Sequence, residues 1–171
     1  FQIKTAGGET VQAENVVLGI GLQGNIRKLG VPGEDLELVQ YQLDDPDEYS
    51  GETIVVVGAG DAGIENAIAL TANNRVILIN RSQEFARVKQ GNIDLINKAI
   101  GEGKLECRYS TTAIKVAAVE TEGRPLCFEA QTPQGVENIA CNRVIARLGA
   151  IPPRKLVESF GVQFPNANMD A

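Results

Sequence analysis

Three glycines, Gly58, Gly60 and Gly63, stand in the spacing G-x-G-x-x-G directly after the unbroken apolar run from Thr53 to Val57. That spacing suits one piece of chemistry, holding a pyrophosphate against bare backbone. Gly58 is placed for a tight turn, Gly60 for close approach of a phosphate to the main chain, and Gly63 for close packing of the next helix on the strand. Asp61 and Ala62 would present N–H groups at the helix start, where an anion is favoured. The Asp61 carboxylate suits the helix start better than contact with a like-charged phosphate. A second apolar run, from Arg75 to Ile79, ends at Asn80 and Arg81, about 20 residues past the glycines, where a dinucleotide site reads the adenosine ribose. An acidic residue there would bind a ribose diol. Asn80 offers no carboxylate, and the Arg81 guanidinium can pair bidentately with a 2′-phosphate. The pattern predicts a dinucleotide site that takes NADP(H) in preference to NAD(H). The competing reading is a purely structural glycine turn with plain surface cations beside it.

These residues need a frame. The β-branched run from Thr53 to Val57 reads as a strand buried on both faces of a parallel sheet. From Asp61 to Asn73, Ile64, Ala67 and Ile68 fall at i, i+3 and i+4, one face of a helix whose outer side carries Glu65, Asn66 and Thr71. Asn92 is placed to cap a second helix with Ile93, Ile96 and Ile100 on one face, closed by Gly101 and Gly103. Lys104 to Arg108 reads as a third parallel strand. Alternating segments near 112–119, 124–131 and 136–141, joined at Glu122-Gly123 and Pro133-Gln134-Gly135, predict an antiparallel meander. Arg143 to Leu148 returns as another buried strand. Toward the ends, Phe1, Ile3 and Thr5 alternate, Gly7-Gly8 turns the chain, and Val11 to Ile20 is expected to return as a second strand. Asp45-Pro46 starts a single helical turn, and Leu156 to Phe160 a short helix ended by Gly161.

A chain of 171 residues is enough for one domain or a little more. With 16 basic and 22 acidic residues its net charge is −6, which argues against nucleic acid or an anionic membrane surface as partner. No apolar run reaches the length of a membrane span and no secretory signal pattern opens the chain; a cytoplasmic location is expected. Cys107, Cys127 and Cys141 are widely spaced and histidine is absent, so neither a metal site nor a dithiol pair is predicted, and the three read as small buried hydrophobes.

From Val16 to Asp35 the chain carries Gly19-Ile20-Gly21 and then Leu29-Gly30-Val31-Pro32-Gly33. This stretch resembles the segment where two-dinucleotide flavoproteins of the pyridine nucleotide-disulfide oxidoreductase superfamily leave the flavin domain. The superfamily usually reads A-T-G at the first triplet, so the frame matches rather than the letters. Thioredoxin reductases carry a C-x-x-C where this chain has Tyr41-Gln42-Leu43-Asp44; thiol–disulfide chemistry is therefore not carried over. The chain is more similar to thioredoxin-reductase-like ferredoxin–NADP reductases and to bacillithiol-disulfide-reductase-like flavoproteins.

The resemblance covers nearly the whole chain. It implies an α/β, Rossmann-like three-layer domain of the FAD/NAD(P)-binding type, a parallel sheet with helices on one face and an antiparallel β-meander on the other. The implied plan is a stub of the flavin domain over 1–40, an NAD(P)-binding domain over 41–152, and a C-terminal helix returning toward the flavin domain over 153–171. Glu65 matches a glutamate that contacts the nicotinamide amide in many relatives, the alternative being a solvated helix-face carboxylate. Arg87, after Phe85-Ala86, resembles the second arginine of an H-R-R-x-x-F-R pattern, with Lys89 ranking behind it. Gly149, in Gly149-Ala150-Ile151-Pro152, is similar to the turn where backbone approaches the nicotinamide half. No residue is assigned as catalytic. The implied function is presentation of a nicotinamide for hydride transfer to FAD held by a flavin domain whose own G-x-G-x-x-G and G-D motifs are not among these residues; the fragment alone is expected to be inactive. The alternative is a stand-alone NAD(P)-binding or sensing module. The terminal acceptor, whether ferredoxin, disulfide or quinone, and the oligomeric state have no counterpart in the residues.

Overall fold

The computed structural model of the chain describes residues 1–21, 26–86, 88–121 and 123–164. Four features named above fall outside them: part of the glycine-rich loop (22–25), Arg87, Glu122 of the expected meander turn, and the tail from 165. Contacts divide the chain into Phe1–Asn25 with Pro152–Ala171, and Ile26–Ile151.

In the smaller unit, β1 (Gln2–Lys4) pairs antiparallel with β2 (Thr10–Gln12), Gln2 opposite Gln12 and Lys4 opposite Thr10. The hairpin is expected, but its return strand stops at Gln12 instead of running to Ile20. Every residue of both strands is exposed, so no buried face rewards a longer ladder.

The larger unit carries, in order, β3 (Val39–Gln40), β4 (Thr53–Val57), α1 (Asp61–Leu70), β5 (Arg75–Ile79), α2 (Gln90–Gly101), β6 (Leu105–Arg108), β7 (Thr112–Thr121), β8 (Arg124–Thr132), β9 (Gly135–Cys141) and β10 (Arg143–Ala146). β3, β10, β4, β5 and β6 lie side by side in that order as a parallel sheet, while β7, β8 and β9 form an antiparallel meander. Successive strand residues point to opposite faces, and both faces here are apolar. Val55, Val57, Ile77, Ile79 and Val144 pack with Val116, Leu126, Phe128 and Ile139 of the meander. Ile54, Val56, Val76, Leu78 and Ile145 pack with Ile64, Ala67 and Leu70 of α1 and with Ile96 and Ala99 of α2. The result is three layers, helices over sheet over meander, and the α/β class read from the sequence holds. Phe128 is wholly buried between sheet and meander; truncation there to alanine would cost about 3 to 5 kcal/mol.

Several element ends differ from expectation. α1 stops at Leu70 rather than continuing to Asn73 because the Asn74 amide donates to the Leu70 and Tyr49 carbonyls, at 3.1 and 2.8 Å, while its Oδ1 accepts the Glu52 N–H at 3.1 Å. The helical turn at Pro46–Glu48 forms with Asp45 accepting the Asp47 N–H at 2.9 Å. Residues from Ile26 onward belong to the larger unit: β3 pairs with β10, and the Val116 N–H donates to the Pro32 carbonyl at 2.9 Å. A Cβ on Gly33 would lie 1.8 Å from the Val116 carbonyl oxygen, so the Pro32-Gly33 pair is a packing requirement of this crossing. In the smaller unit, α3 (Arg154–Ser159) begins earlier than the expected Leu156.

Only Cys141 is fully buried; Cys107 and Cys127 are half-buried, so the small-hydrophobe reading holds for one thiol and in part for two. Burial pushes the Cys141 thiol up to about 12 and the Cys107 thiol up to about 11. Among the described residues, no cluster suits a metal ion and no helix is long and apolar enough to cross a membrane.

Candidate functional site

The order β3, β10, β4, β5, β6 means that the chain leaves β4 toward β5 on one side while β10 lies on the other. Open parallel sheets form a crevice at the carboxyl ends of strands where the order switches in this way. The glycine turn lies there. Gly58 has φ +109° and its N–H donates to the Ile79 carbonyl at 3.1 Å. A Cβ on Gly58 would sit 2.5 Å from the Arg147 carbonyl oxygen, and one on Gly63 would sit 1.9 Å from the Gly58 carbonyl oxygen. Both positions therefore admit only glycine without a backbone shift. Gly60 differs: its backbone is extended, and a Cβ would meet nothing within 4 Å.

The N-cap of α1 is Gly60, with no side-chain cap hydrogen bond among the described residues, which leaves the first N–H groups of the helix without an intrahelical partner at the crevice. Asp61 does not cap its own helix. Its Oδ1 accepts the Lys89 N–H at 3.0 Å and the Asn92 Nδ2 at 2.8 Å, and these donors, the Lys89 N–H foremost, hold its carboxyl below the usual carboxylate range. Asn92 is thus not the N-cap of α2; Lys89 is. The Asn92 amide is drawn across to α1, where it also donates to Glu65 Oε1 at 2.9 Å.

A cleft of about 710 Å³ opens in front of the turn, and Gly58, Gly60, Asp61, Ala62, Asn80, Arg81 and Gly149 all line it. Gly63 lies behind it as a packing residue. Glu65 is not among the lining residues; it stands on the exposed face of α1, hydrogen-bonded to Asn92. Arg87 lies outside the described residues. Asn80 is buried, with its Nδ2 donating to the Glu84 carbonyl at 3.2 Å and its Oδ1 accepting the Ser82 N–H at 3.0 Å. Its amide shapes the loop after β5, and that loop sets exposed Arg81 at the rim.

Three lining cations were not singled out by sequence reasoning: Arg27, Lys28 and Arg147. Lys28 pairs with Asp35. The Arg27 N–H donates to the Gly149 carbonyl at 3.0 Å, which ties this segment to a turn where Gly149 has φ +80°. Arg147 Nη1 donates to the Tyr41 carbonyl at 2.9 Å, while its Nε is buried without a partner. A signal for Arg147 was present in the sequence, a lone charge closing the apolar run Val144-Ile145-Ala146 just ahead of Gly149. With Arg81, the cleft carries four cations against two carboxylates, Asp61 and Glu84, in a chain whose net charge is −6. Uncapped N–H groups, bare backbone at Gly60 and local positive charge together favour a polyanion.

Residues 1–169 match the family described as pyridine nucleotide-disulphide oxidoreductase. The ferredoxin–NADP reductase of Ignicoccus hospitalis is 25% identical over 161 residues, covering 92% of this chain and 50% of that protein. The bifunctional thioredoxin reductase/thioredoxin of Mycobacterium leprae is 37% identical over 125 residues, 70% of this chain and 26% of that protein. The chain thus spans half or less of the length of these curated relatives. Among solved structures, the bacillithiol disulfide reductase Bdr (YpdA) from Bacillus cereus shares the fold, with a TM-score of 0.79 over 97% of this chain and 50% of that one at 18% identity. With a family match over almost its entire length and the layered fold of such proteins around a glycine turn, the chain belongs to the pyridine nucleotide-disulphide oxidoreductase family.

Proposed function

We propose that this chain is the NAD(P)H-binding domain of a flavin-dependent oxidoreductase. The observation that carries the reading is the cationic cleft in an acidic chain, set at the uncapped start of α1 with bare Gly60 at its mouth. These residues fit a nicotinamide dinucleotide. N–H groups of Asp61 and Ala62 would receive the pyrophosphate, Arg81 would pair with the 2′-phosphate of NADPH, and the Gly149 turn would flank the nicotinamide half. When bound, the dihydronicotinamide supplies a hydride to FAD held by residues outside this chain. The protein's part is to bind and orient it. Under this reading Ile26–Ile151 is the nucleotide domain, the remaining residues belong to the flavin side, and the chain alone shows no reductase turnover.

Calorimetric titration with NADPH and NADH tests the reading. Binding of both is expected, NADPH about tenfold tighter or more, as one charge-assisted hydrogen bond at a partly exposed site provides. Failure of either nucleotide to bind, or stoichiometric flavin in the purified chain, would overturn it.

A further inference from the structure

We propose that Arg147 gives the cleft a preference for the reduced, uncharged nicotinamide ring over the oxidised pyridinium. The inference rests on the dinucleotide reading of the cleft and goes on to the redox state of its ligand. β4 stands between β5 and β10. With the adenosine end at Asn80 and Arg81, beyond β5, a dinucleotide crossing Gly60 carries its nicotinamide half to the β10 side, where Arg147 is the first residue past the strand.

The guanidinium there is held in place. The Arg147 N–H donates to the Val57 carbonyl at 2.7 Å, the Arg147 carbonyl packs against Gly58, and Nη1 donates to the Tyr41 carbonyl at 2.9 Å. Among the described residues no ion pair neutralises it; the carboxylates near this end, Glu34 and Asp35, serve the Gly30 N–H and Lys28 respectively. The two carboxylates lining the cleft belong to other elements, Asp61 to α1 and Glu84 to the loop after β5. Arg27 adds a further positive charge beside Gly149. Its Nε is buried without a partner, so the guanidinium acts on a bound nucleotide through its charge, and the ring charge is what distinguishes the two redox states. A pyridinium several ångströms from a fixed guanidinium in a partly screened site is disfavoured by about three- to thirtyfold.

The test is titration of NADPH and NADP⁺ against the parent, Arg147→Gln and Arg147→Lys. Glutamine is neutral and can still donate to the Tyr41 carbonyl, whereas lysine keeps the charge. We expect the parent to bind NADPH about tenfold more tightly, Arg147→Gln to bring the ratio close to one, chiefly through tighter NADP⁺, and Arg147→Lys to retain most of the preference. In the parent, the ratio should also shrink as sodium chloride is raised toward 1 M, a readout that needs no variant to fold. Equal affinities in the parent, an unchanged ratio in folded Arg147→Gln, or a salt-independent ratio overturns the inference and leaves the nucleotide site standing. No binding of either nucleotide by the parent removes the site and the inference with it.

Discussion

Gly63 and Gly60 belong to one motif yet face opposite surroundings. A Cβ on Gly63 would strike the Gly58 carbonyl at 1.9 Å, while a Cβ on Gly60 would meet nothing within 4 Å. The floor of the turn is packed protein, with β4, α1 and the backbone of Arg147 in contact; its rim is open and bordered by cations. A single sequence pattern thus combines a folding requirement with a binding requirement, and substitution separates the two.

The largest effect is expected at the floor. Gly63→Val places a branched side chain against backbone that cannot yield, beside a fully buried helix face, and should destabilise the fold by more than about 3 kcal/mol. Urea denaturation measures it; a variant as stable as the parent would break the contrast. At the rim, Gly60→Val should leave stability within about 1 kcal/mol of the parent and weaken NADPH and NADH alike by at least about a hundredfold, since its side chain enters the space in front of the α1 N–H groups. Circular dichroism with calorimetry decides this. Unchanged affinity in the folded variant would show that the nucleotide does not lie over Gly60.

Further along the rim, Arg81→Glu should weaken NADPH about ten- to hundredfold, toward the lower value at physiological salt, and leave NADH nearly unchanged. Equal losses for both nucleotides would move the 2′-phosphate contact to another residue. The smallest effect concerns Asp61, whose depressed pKa comes from the Lys89 N–H and the Asn92 amide. A carboxyl with a lowered folded value stabilises the fold above its ordinary value of 3.8 and loses that contribution as pH falls through the folded value. Asp61→Asn retains an acceptor oxygen without the charge, so its thermal midpoint should fall less than the parent's between about pH 5 and pH 2. Parallel curves for the two proteins would show that the link between α1 and α2 carries no charge-dependent stability.

Sequence alone was enough for whatever depends on local period and steric demand. Unbroken apolar runs in β4, β5 and β10 announced a sheet buried on both faces, the glycine spacing announced the turn, and the turn residues between β8 and β9 announced part of the meander, because backbone conformation responds to neighbours a few residues away. The tertiary structure decided where side chains spend their hydrogen bonds. Asn80 was legible as a position without a carboxylate, but not as an amide consumed in shaping its own loop. Asn92 had the residue type of a helix cap, and two carboxylates on or beside α1 drew it away. Glu65 stood at the right distance along the helix and was turned out of the cleft. Arg147 entered the site because its guanidinium meets a carbonyl 106 residues away in the chain. Such partners are set by which strands lie side by side, and strand order arises from packing across the whole sheet, which no local window of sequence contains.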